Sequence, residues 1–359
     1  MVLKLAIAGG GTGGHVFPGL AVIQALQERM PVEVLWIGTG RPMESAILSS
    51  KGWDYRVLAV KPLIGFQWIS RLKSLLTLPY YVTVARKWLK TFRPHVVLGV
   101  GGYVSGPVLV AAWLLGLPSA LHEQNMLPGL ANRMSARFVN RVLVSFEGTK
   151  GFLKHDDIRW TGNPVRKEIA SACARPRNAL NGHRLLVLGG SQGASTLNRL
   201  VCSAVTLLSR SGFFVEVWHQ TGKVNAEEVK RLYEEASVSA RVMPFIEDMA
   251  KAYAWADLVL ARAGAGTVAE VAVTGTPAIF IPYTGAAGHQ EANALYLVQR
   301  GAALSFRENE IGAVRLASEI QGLLDAPQRL AEMSERAFEL GRPNAAELIA
   351  DAALEMCKI

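Results

Sequence analysis

Acidic residues are missing from a long stretch of this sequence. None occurs between Asp54 and Glu123, while Arg56, Lys61, Arg71, Lys73, Arg86, Lys87, Lys90 and Arg93 all fall inside it. Residues 1–160 carry 18 Lys and Arg against 8 Asp and Glu, and residues 161–359 carry 20 against 21. The formal charge of +9 therefore comes from the first half. Such a field draws phosphates, whether of nucleic acid, anionic lipid or a charged substrate, and it equally describes a solvated basic face. Cysteine is scarce as well. Cys173, Cys202 and Cys357 are the only three, and none forms a C-x-x-C pair. That excludes a disulfide framework and a structural zinc site, and it points to a reducing compartment. There is no D-x-D, no low-complexity tract and no short fixed-period repeat. The leading apolar run VLKLAIA is too short for a signal peptide and runs into glycines, so it reads as a strand.

What is present is alternation. LKLAIAG, VEVLWIG, HVVLGVG, PSALHEQ and RVLVSF read as strands in the first half; HRLLVLGG, FFVEVWHQ, ARVMPF, DLVLARA and TPAIFIP do so in the second. Stretches with helical spacing separate most of them. Continuous apolar strands with helices between them predict an α/β chain with parallel sheets covered on both faces. Each half opens with a strand, a glycine loop and a helix, so two doubly wound domains are expected in tandem. Their junction is placed near RWTGNPVRKE, giving domains 1–162 and 163–342. The final helix, within 343–359, can cross back to the first domain. The uncharged run Val96–Leu121 is broken by seven Gly and Pro residues. It reads as a buried strand, a turn and a helix started by Pro107 rather than a membrane span.

Four strand ends lead into loops of small residues: GGGTGGH, GVGGYVSGP, GGSQGAS and ARAGAGT. In open α/β sheets the ligand sits outside such ends. Glycine lets backbone approach a phosphate, and the following helix offers free N–H groups. Gly9, Gly11 and Gly14 satisfy G-x-G-x-x-G, the pattern of dinucleotide enzymes. That reading also needs an acid at the end of the second strand, where this chain has GTGRPMES, with no acid placed for a ribose. Arg41 keeps an NADP pattern open. No P-loop is present.

Taken in order, GGGTGGHVFPGLA, GGYVSGP, HEQN, TGNPVR, GGSQGA and RAGAGTVAE resemble the bacterial MurG family. Its members are N-acetylglucosaminyltransferases that complete lipid II for peptidoglycan. The resemblance covers nearly the whole chain. It implies a GT-B fold of two facing Rossmann-like domains. It also implies inverting transfer of GlcNAc from UDP-GlcNAc to the 4-hydroxyl of the muramoyl sugar of lipid I, without cofactor or metal. For the donor it implies Glu270 on the ribose and Ala265, Gly266 and Thr267 at the diphosphate, with Val268 and Ala269 in the same donor-binding stretch. Ser191 would add a phosphate contact, the Ile246 backbone would read the uracil, and Gln290, beside His289, would hold the sugar hydroxyls. Asn125 would reach the sugar, and Arg166 would bring a cation. Thr12, Gly13 and Gly14 would face the lipid-linked diphosphate or the donor UDP-GlcNAc. Gly11, Tyr103 and Ser105 would belong to the acceptor loops. His15 is favoured as the general base, because an imidazole titrates near neutrality, and Glu123 at a strand end stays open as its rival.

A polyprenyl-linked acceptor requires a membrane surface. Phe66, Trp68, Ile69, Leu72 and Leu75 lie among Arg71, Lys73, Arg86 and Lys87, which suits reversible binding to anionic lipid. The expected place is the cytoplasmic face of the bacterial inner membrane, as a peripheral protein. Lipid I, UDP-GlcNAc and other cell-wall synthesis proteins would be the partners, and nucleic acid would not. Three other readings stay open on sequence: a nicotinamide-dependent oxidoreductase, a lipid-surface adaptor without catalysis, and a UDP-GlcNAc epimerase.

Overall fold

The computed structural model describes residues 2–60, 68–172, 182–190, 193–223, 226–285 and 288–357, with the side chains of 68–76 left out. Two compact units emerge from its contacts: 1–165 together with 344–359, and 166–343.

The first unit runs β1 (Leu3–Ala8), α1 (Gly13–Gln27), β2 (Val32–Gly38), α2 (Pro42–Ser49), β3 (Asp54–Val57), α3 (Trp68–Phe92), β4 (Val96–Gly99), α4 (Ser105–Leu114), β5 (Ser119–Glu123), α5 (Leu130–Ser135), β6 (Arg141–Val144) and β7 (Ile158–Trp160). Its seven strands lie in the order β3-β2-β1-β4-β5-β6-β7, every pair parallel. The strands sort their side chains by the two-residue period. Leu3, Leu5 and Ile7 join a core with Val16, Val22, Ile23 and Leu26 of α1. Ala6 and Ala8 face the other way, toward Ala85 and Leu89 of α3 and Val108 and Leu109 of α4. The uncharged run resolves into β4, a glycine turn and α4, which begins at Ser105, two residues before Pro107.

The second unit runs α6 (Lys167–Ala172), β8 (Arg184–Leu188), α7 (Ser195–Arg210), β9 (Glu216–Gln220), α8 (Ala226–Glu235), β10 (Ala240–Met243), α9 (Met249–Trp255), β11 (Leu258–Ala261), α10 (Ala265–Thr274), β12 (Ala278–Phe280), α11 (His289–Val298), β13 (Ala303–Ser305), α12 (Ala313–Leu324) and α13 (Pro327–Leu340). Its sheet order is β10-β9-β8-β11-β12-β13, again all parallel. Val201 and Val205 of α7 and Leu316 and Ile320 of α12 pack on Leu185, Val187, Leu258 and Leu260. The last helix, α14 (Ala345–Leu354), belongs to the first unit. Its Ile349, Ala350 and Ala353 sit in the core under α1.

Both strand orders reverse direction once, between β1 and β4 and between β8 and β11. Those switch points are where a doubly wound sheet leaves room for a ligand outside its strand ends.

Candidate functional site

At the first switch point two glycine loops press backbone to backbone. Gly102 has φ +82°, and a Cβ there would stand 2.8 Å from the Gly10 carbonyl oxygen. Ser105 fastens this arrangement. It is buried, its hydroxyl lies 2.7 Å from the Ala8 carbonyl and 2.8 Å from the Gly101 carbonyl, either of which can take its one hydrogen, and it accepts from the Gly101 amide (3.1 Å). Its role here is to hold the loop, so a ligand contact by that hydroxyl has no support in the geometry. Tyr103 is half-buried in the same loop.

The amide of Gly11 is also engaged. It donates to Glu44 Oε2 at 2.8 Å, and the same carboxylate accepts from Thr39 N (2.7 Å), Thr39 Oγ1 (2.7 Å) and Tyr55 OH (3.0 Å). Glu44 is fully buried. It is the acid of GTGRPMES, and it ties the first glycine loop to the end of β2 instead of facing outward to a ribose. Arg41 donates to the Gly11 carbonyl at 3.0 Å. What the loop presents outward is the start of α1. Thr12 is its N-cap, exposed and without a side-chain capping bond, and Gly14 is exposed while Gly13 is buried. First-turn amides have no partner within their own helix, and they carry the positive end of its dipole.

His15 lies in the first turn of α1, its amide bonded to the N-cap Thr12 carbonyl at 3.1 Å. The residue is half-exposed, yet its Nδ1 is buried. Burial lowers the imidazole pKa; the Gln124 amide, the Val100 carbonyl and the charge of Glu44 oppose that. A neutral imidazole can take a proton on the ring nitrogen that lacks one. Glu123, the rival, is differently placed. One oxygen accepts from Asn125 N (2.8 Å) and Asn125 Nδ2 (3.2 Å), the other from Gly129 N (3.1 Å) and Asn132 Nδ2 (2.8 Å). Burial raises its pKa against the pull of those donors. The carboxylate closes the loop between β5 and α5 and fixes Asn125 at its rim.

In the second unit the loop after β11 feeds α10, whose N-cap Gly264 brings no side-chain cap. The first turn, Ala265, Gly266 and Thr267, is half-buried and offers its amides outward. Val268 is different: its amide bonds the Gly264 carbonyl at 2.9 Å and its side chain is buried, so it serves packing. Ala269 is half-buried on the same helix. Glu270 accepts from Tyr253 OH at 2.9 Å. Burial raises its pKa, while the charge of Arg166 and the tyrosine hydroxyl lower it. Its other oxygen can accept from a ribose. Gln290 uses Oε1 to accept the Tyr283 amide at 2.9 Å, which leaves its NH2 to donate. The Ile246 amide donates to Gln220 Oε1 at 3.0 Å. Ser191 lies outside the described residues, as do Phe66 and the side chains of Trp68, Ile69, Arg71, Leu72, Lys73 and Leu75.

Sequence reasoning passed over Glu44, Gln124, Gln220 and Tyr253. Gln124 stood inside HEQN and Glu44 inside GTGRPMES, so position was available for both. Tyr253 and Gln220 carried no signal, because each acts through a partner distant in sequence.

The glycosyltransferase family 28 N-terminal domain profile matches residues 5–144, and the C-terminal domain profile of the same family matches 184–349. The chain is 40% identical over 357 residues to the UDP-N-acetylglucosamine–N-acetylmuramyl-(pentapeptide) pyrophosphoryl-undecaprenol N-acetylglucosamine transferase of Myxococcus xanthus, covering 99% of this chain and 93% of that protein. The Geobacter sulfurreducens protein of the same name is 41% identical, with 97% of each chain covered. Among solved structures, MurG of Acinetobacter baumannii superposes with a TM-score of 0.79 at 31% identity, covering 98% and 99% of the two chains. A UDP-GlcNAc 2-epimerase from Neisseria meningitidis shares the fold at a TM-score of 0.68 and 15% identity, covering 99% of this chain and 100% of that one. Two parallel-sheet units, each with an amide-rich helix start at its switch point, and full-length relatives at this level of identity lead to one assignment: the chain belongs to the MurG family of GT-B glycosyltransferases.

Proposed function

We infer that the protein moves N-acetylglucosamine from UDP-GlcNAc to the 4-hydroxyl of the muramoyl sugar of lipid I, inverting the anomeric carbon and giving lipid II for peptidoglycan. The observation that carries the donor half is the uncapped start of α10 beside Glu270, itself held by Tyr253. Glu270 accepts from the ribose hydroxyls. The amides of Ala265, Gly266 and Thr267, with the α10 dipole, take the charge that develops on the departing UDP. The Ile246 carbonyl reads uracil, Gln290 and Asn125 hold the sugar, Arg166 adds a cation and Ser191 a phosphate contact. In the N-terminal unit, Thr12, Gly13 and Gly14 receive a diphosphate. His15 takes the acceptor's proton as its oxygen attacks the anomeric carbon. Glu123 is the weaker choice of base, because four donors already hold its carboxylate.

The acceptor brings the enzyme to a bilayer. Among the described residues no helix is long and apolar enough to cross one. The C-terminal part of α3 carries Arg86, Lys87 and Lys90, all exposed, and Tyr80 is 67% exposed. Peripheral attachment at the cytoplasmic face, through these residues and the 66–75 segment, fits that chemistry, as does work beside other cell-wall enzymes. Transfer of labelled GlcNAc from UDP-GlcNAc to a lipid I analogue is the decisive assay. Failure to transfer with a folded, UDP-binding protein would leave the epimerase or adaptor readings. UDP is expected to raise the melting temperature and NAD(P)H to leave it unchanged, since only a ligand of the folded state stabilises it.

A further inference from the structure

Behind His15 lies a chain of polar groups whose donors and acceptors can be assigned from chemistry alone. Gln124 is 2% exposed at the end of β5. Its Nε2 stands 2.8 Å from the Val100 carbonyl oxygen, which can only accept, so the NH2 end must face it. The same NH2 reaches His122 Nδ1 at 3.0 Å. His122 is fully buried, and burial drops its pKa to about 4, so it is neutral at working pH. With Nδ1 accepting, its proton sits on Nε2, which is 3.1 Å from the Gly162 carbonyl oxygen and 3.2 Å from Ser145 Oγ. Both hydrogens of the Gln124 amide are thereby assigned, and only Oε1 remains.

That oxygen and Nδ1 of His15 are both buried, and neither meets a partner at strict hydrogen-bonding geometry. They lie against the same backbone atom. A Cβ on Gly101 would stand 2.6 Å from His15 Nδ1 and 2.9 Å from Gln124 Oε1. The amide oxygen can only accept, and Nδ1 meets that need when it carries the ring proton, so burial of the two atoms together favours a short movement that joins them as donor and acceptor. Gly101, at φ +95°, is what leaves room for the pair.

We propose that Gln124, locked by His122 and the Val100 carbonyl, is a positioning residue that holds His15 as the Nδ1–H tautomer and leaves the Nε2 lone pair free to take the acceptor's proton. This rests on His15 being the base. The logic is that of the buried carboxylate that orients a catalytic histidine in serine hydrolases, with a neutral amide in its place. A neutral acceptor fixes the tautomer while raising the proton affinity less than a carboxylate would. Two titratable groups face His15 from neighbouring elements. Glu44 of α2 raises its proton affinity through charge, and His122 of β5 opposes protonation of its neighbour.

The test has a spectroscopic arm and a kinetic arm. In protein labelled with 15N-histidine, the His15 signals are assigned by their loss in His15→Gln. Above neutral pH the wild type is expected to show a protonated Nδ1 and a lone-pair Nε2. Gln124→Met removes the acceptor and keeps the volume. It should let the ring revert toward Nε2–H, lower kcat about 10- to 100-fold with little change in KM for UDP-GlcNAc, and move the acid limb of the pH profile to lower pH. The limb moves down because the imidazolium loses the group that stabilises its Nδ1–H. If Gln124→Met fails to fold, the tautomer of the wild-type protein still decides. Should His15→Ala keep wild-type kcat, the base assignment falls and the positioning role with it. If His15→Ala is inactive but the wild type shows Nε2–H, or Gln124→Met shifts neither tautomer nor limb, the positioning role alone is overturned.

Discussion

Glu44 is the residue whose removal should reach furthest into the first unit without touching substrate. Its carboxylate satisfies the amides of Gly11 and Thr39 and the hydroxyls of Thr39 and Tyr55. Glu44→Ala strands several buried donors at once, so a loss of about 3 kcal/mol is expected from urea unfolding of the first unit. The second unit has a comparable pair with a different readout. Glu270→Ala should weaken UDP binding about 10- to 100-fold by titration calorimetry, through loss of a charged acceptor. Tyr253→Phe leaves the carboxylate in place but free to rotate, so a fall of about 5-fold is expected. An unchanged affinity in Glu270→Ala would remove this residue from the donor site.

At the scale of elements, α14 is part of the first unit although it follows the second in sequence. Arg141 of β6 donates to the Ala352 carbonyl at 2.8 Å and to Glu355 at 2.9 Å, and Arg29, in the turn after α1, pairs with Asp351. Ile349, Ala350 and Ala353 are buried beneath α1. A chain ending at Pro343 would expose that apolar strip, at a cost on the order of 5 kcal/mol. The expected result is early unfolding of the first unit, with UDP binding by the second retained. Loss of both functions together would contradict it. The paired glycine loops give a second element-scale prediction. Gly102→Ala places a Cβ against the Gly10 carbonyl at a positive φ, and a loss of about 2 kcal/mol or more should follow in thermal or urea unfolding.

At the scale of the molecule, each unit has one fully buried histidine that it keeps neutral, His122 in the first and His219 in the second. Burial holds His122 at about 4 and His219 at about 3, against 6.5 when unfolded. An imidazole whose pKa is lowered by folding adds stability that is complete above pH 6.5. That stability is lost as pH falls toward the folded value. Each group contributes a slope of up to about 1.4 kcal/mol per pH unit within its window. Glu123 and Glu270, raised by burial, act in the opposite sense at lower pH. Urea midpoints should therefore fall between pH 7.5 and pH 5, and His219→Gln should flatten that dependence in the second unit only. A midpoint independent of pH would refute the assignment. The basic first unit makes a separate prediction. Reversing Arg86 and Lys87 to Glu should cut binding to anionic vesicles at least about 10-fold, with neutral vesicles unaffected.

Every strand with sheet on both sides could be read from sequence, and so could the edge strand β10. LAIA, VLWIG, VVLG and LVLA are continuously apolar because helices cover both faces of the sheet. β3 (DYRV), β7 (IRW) and β13 (ALS) escaped that reading. They lie at sheet edges, half-exposed, where an apolar run is not required. The glycine loops, their order and the family they resemble were likewise legible, since a tight turn after a strand is a local demand on residue type. Sequence alone left open whether the last helix crosses back, because burial of Ile349 beneath α1 is a contact across more than 300 positions. Nor could it tell that Ser105 faces inward, that Glu44 braces the loop it follows, or that Gln124 stands behind His15. Local chemistry determines which elements form and where backbone can approach a ligand; the direction in which a polar side chain points is settled only when distant strands bring its partner alongside.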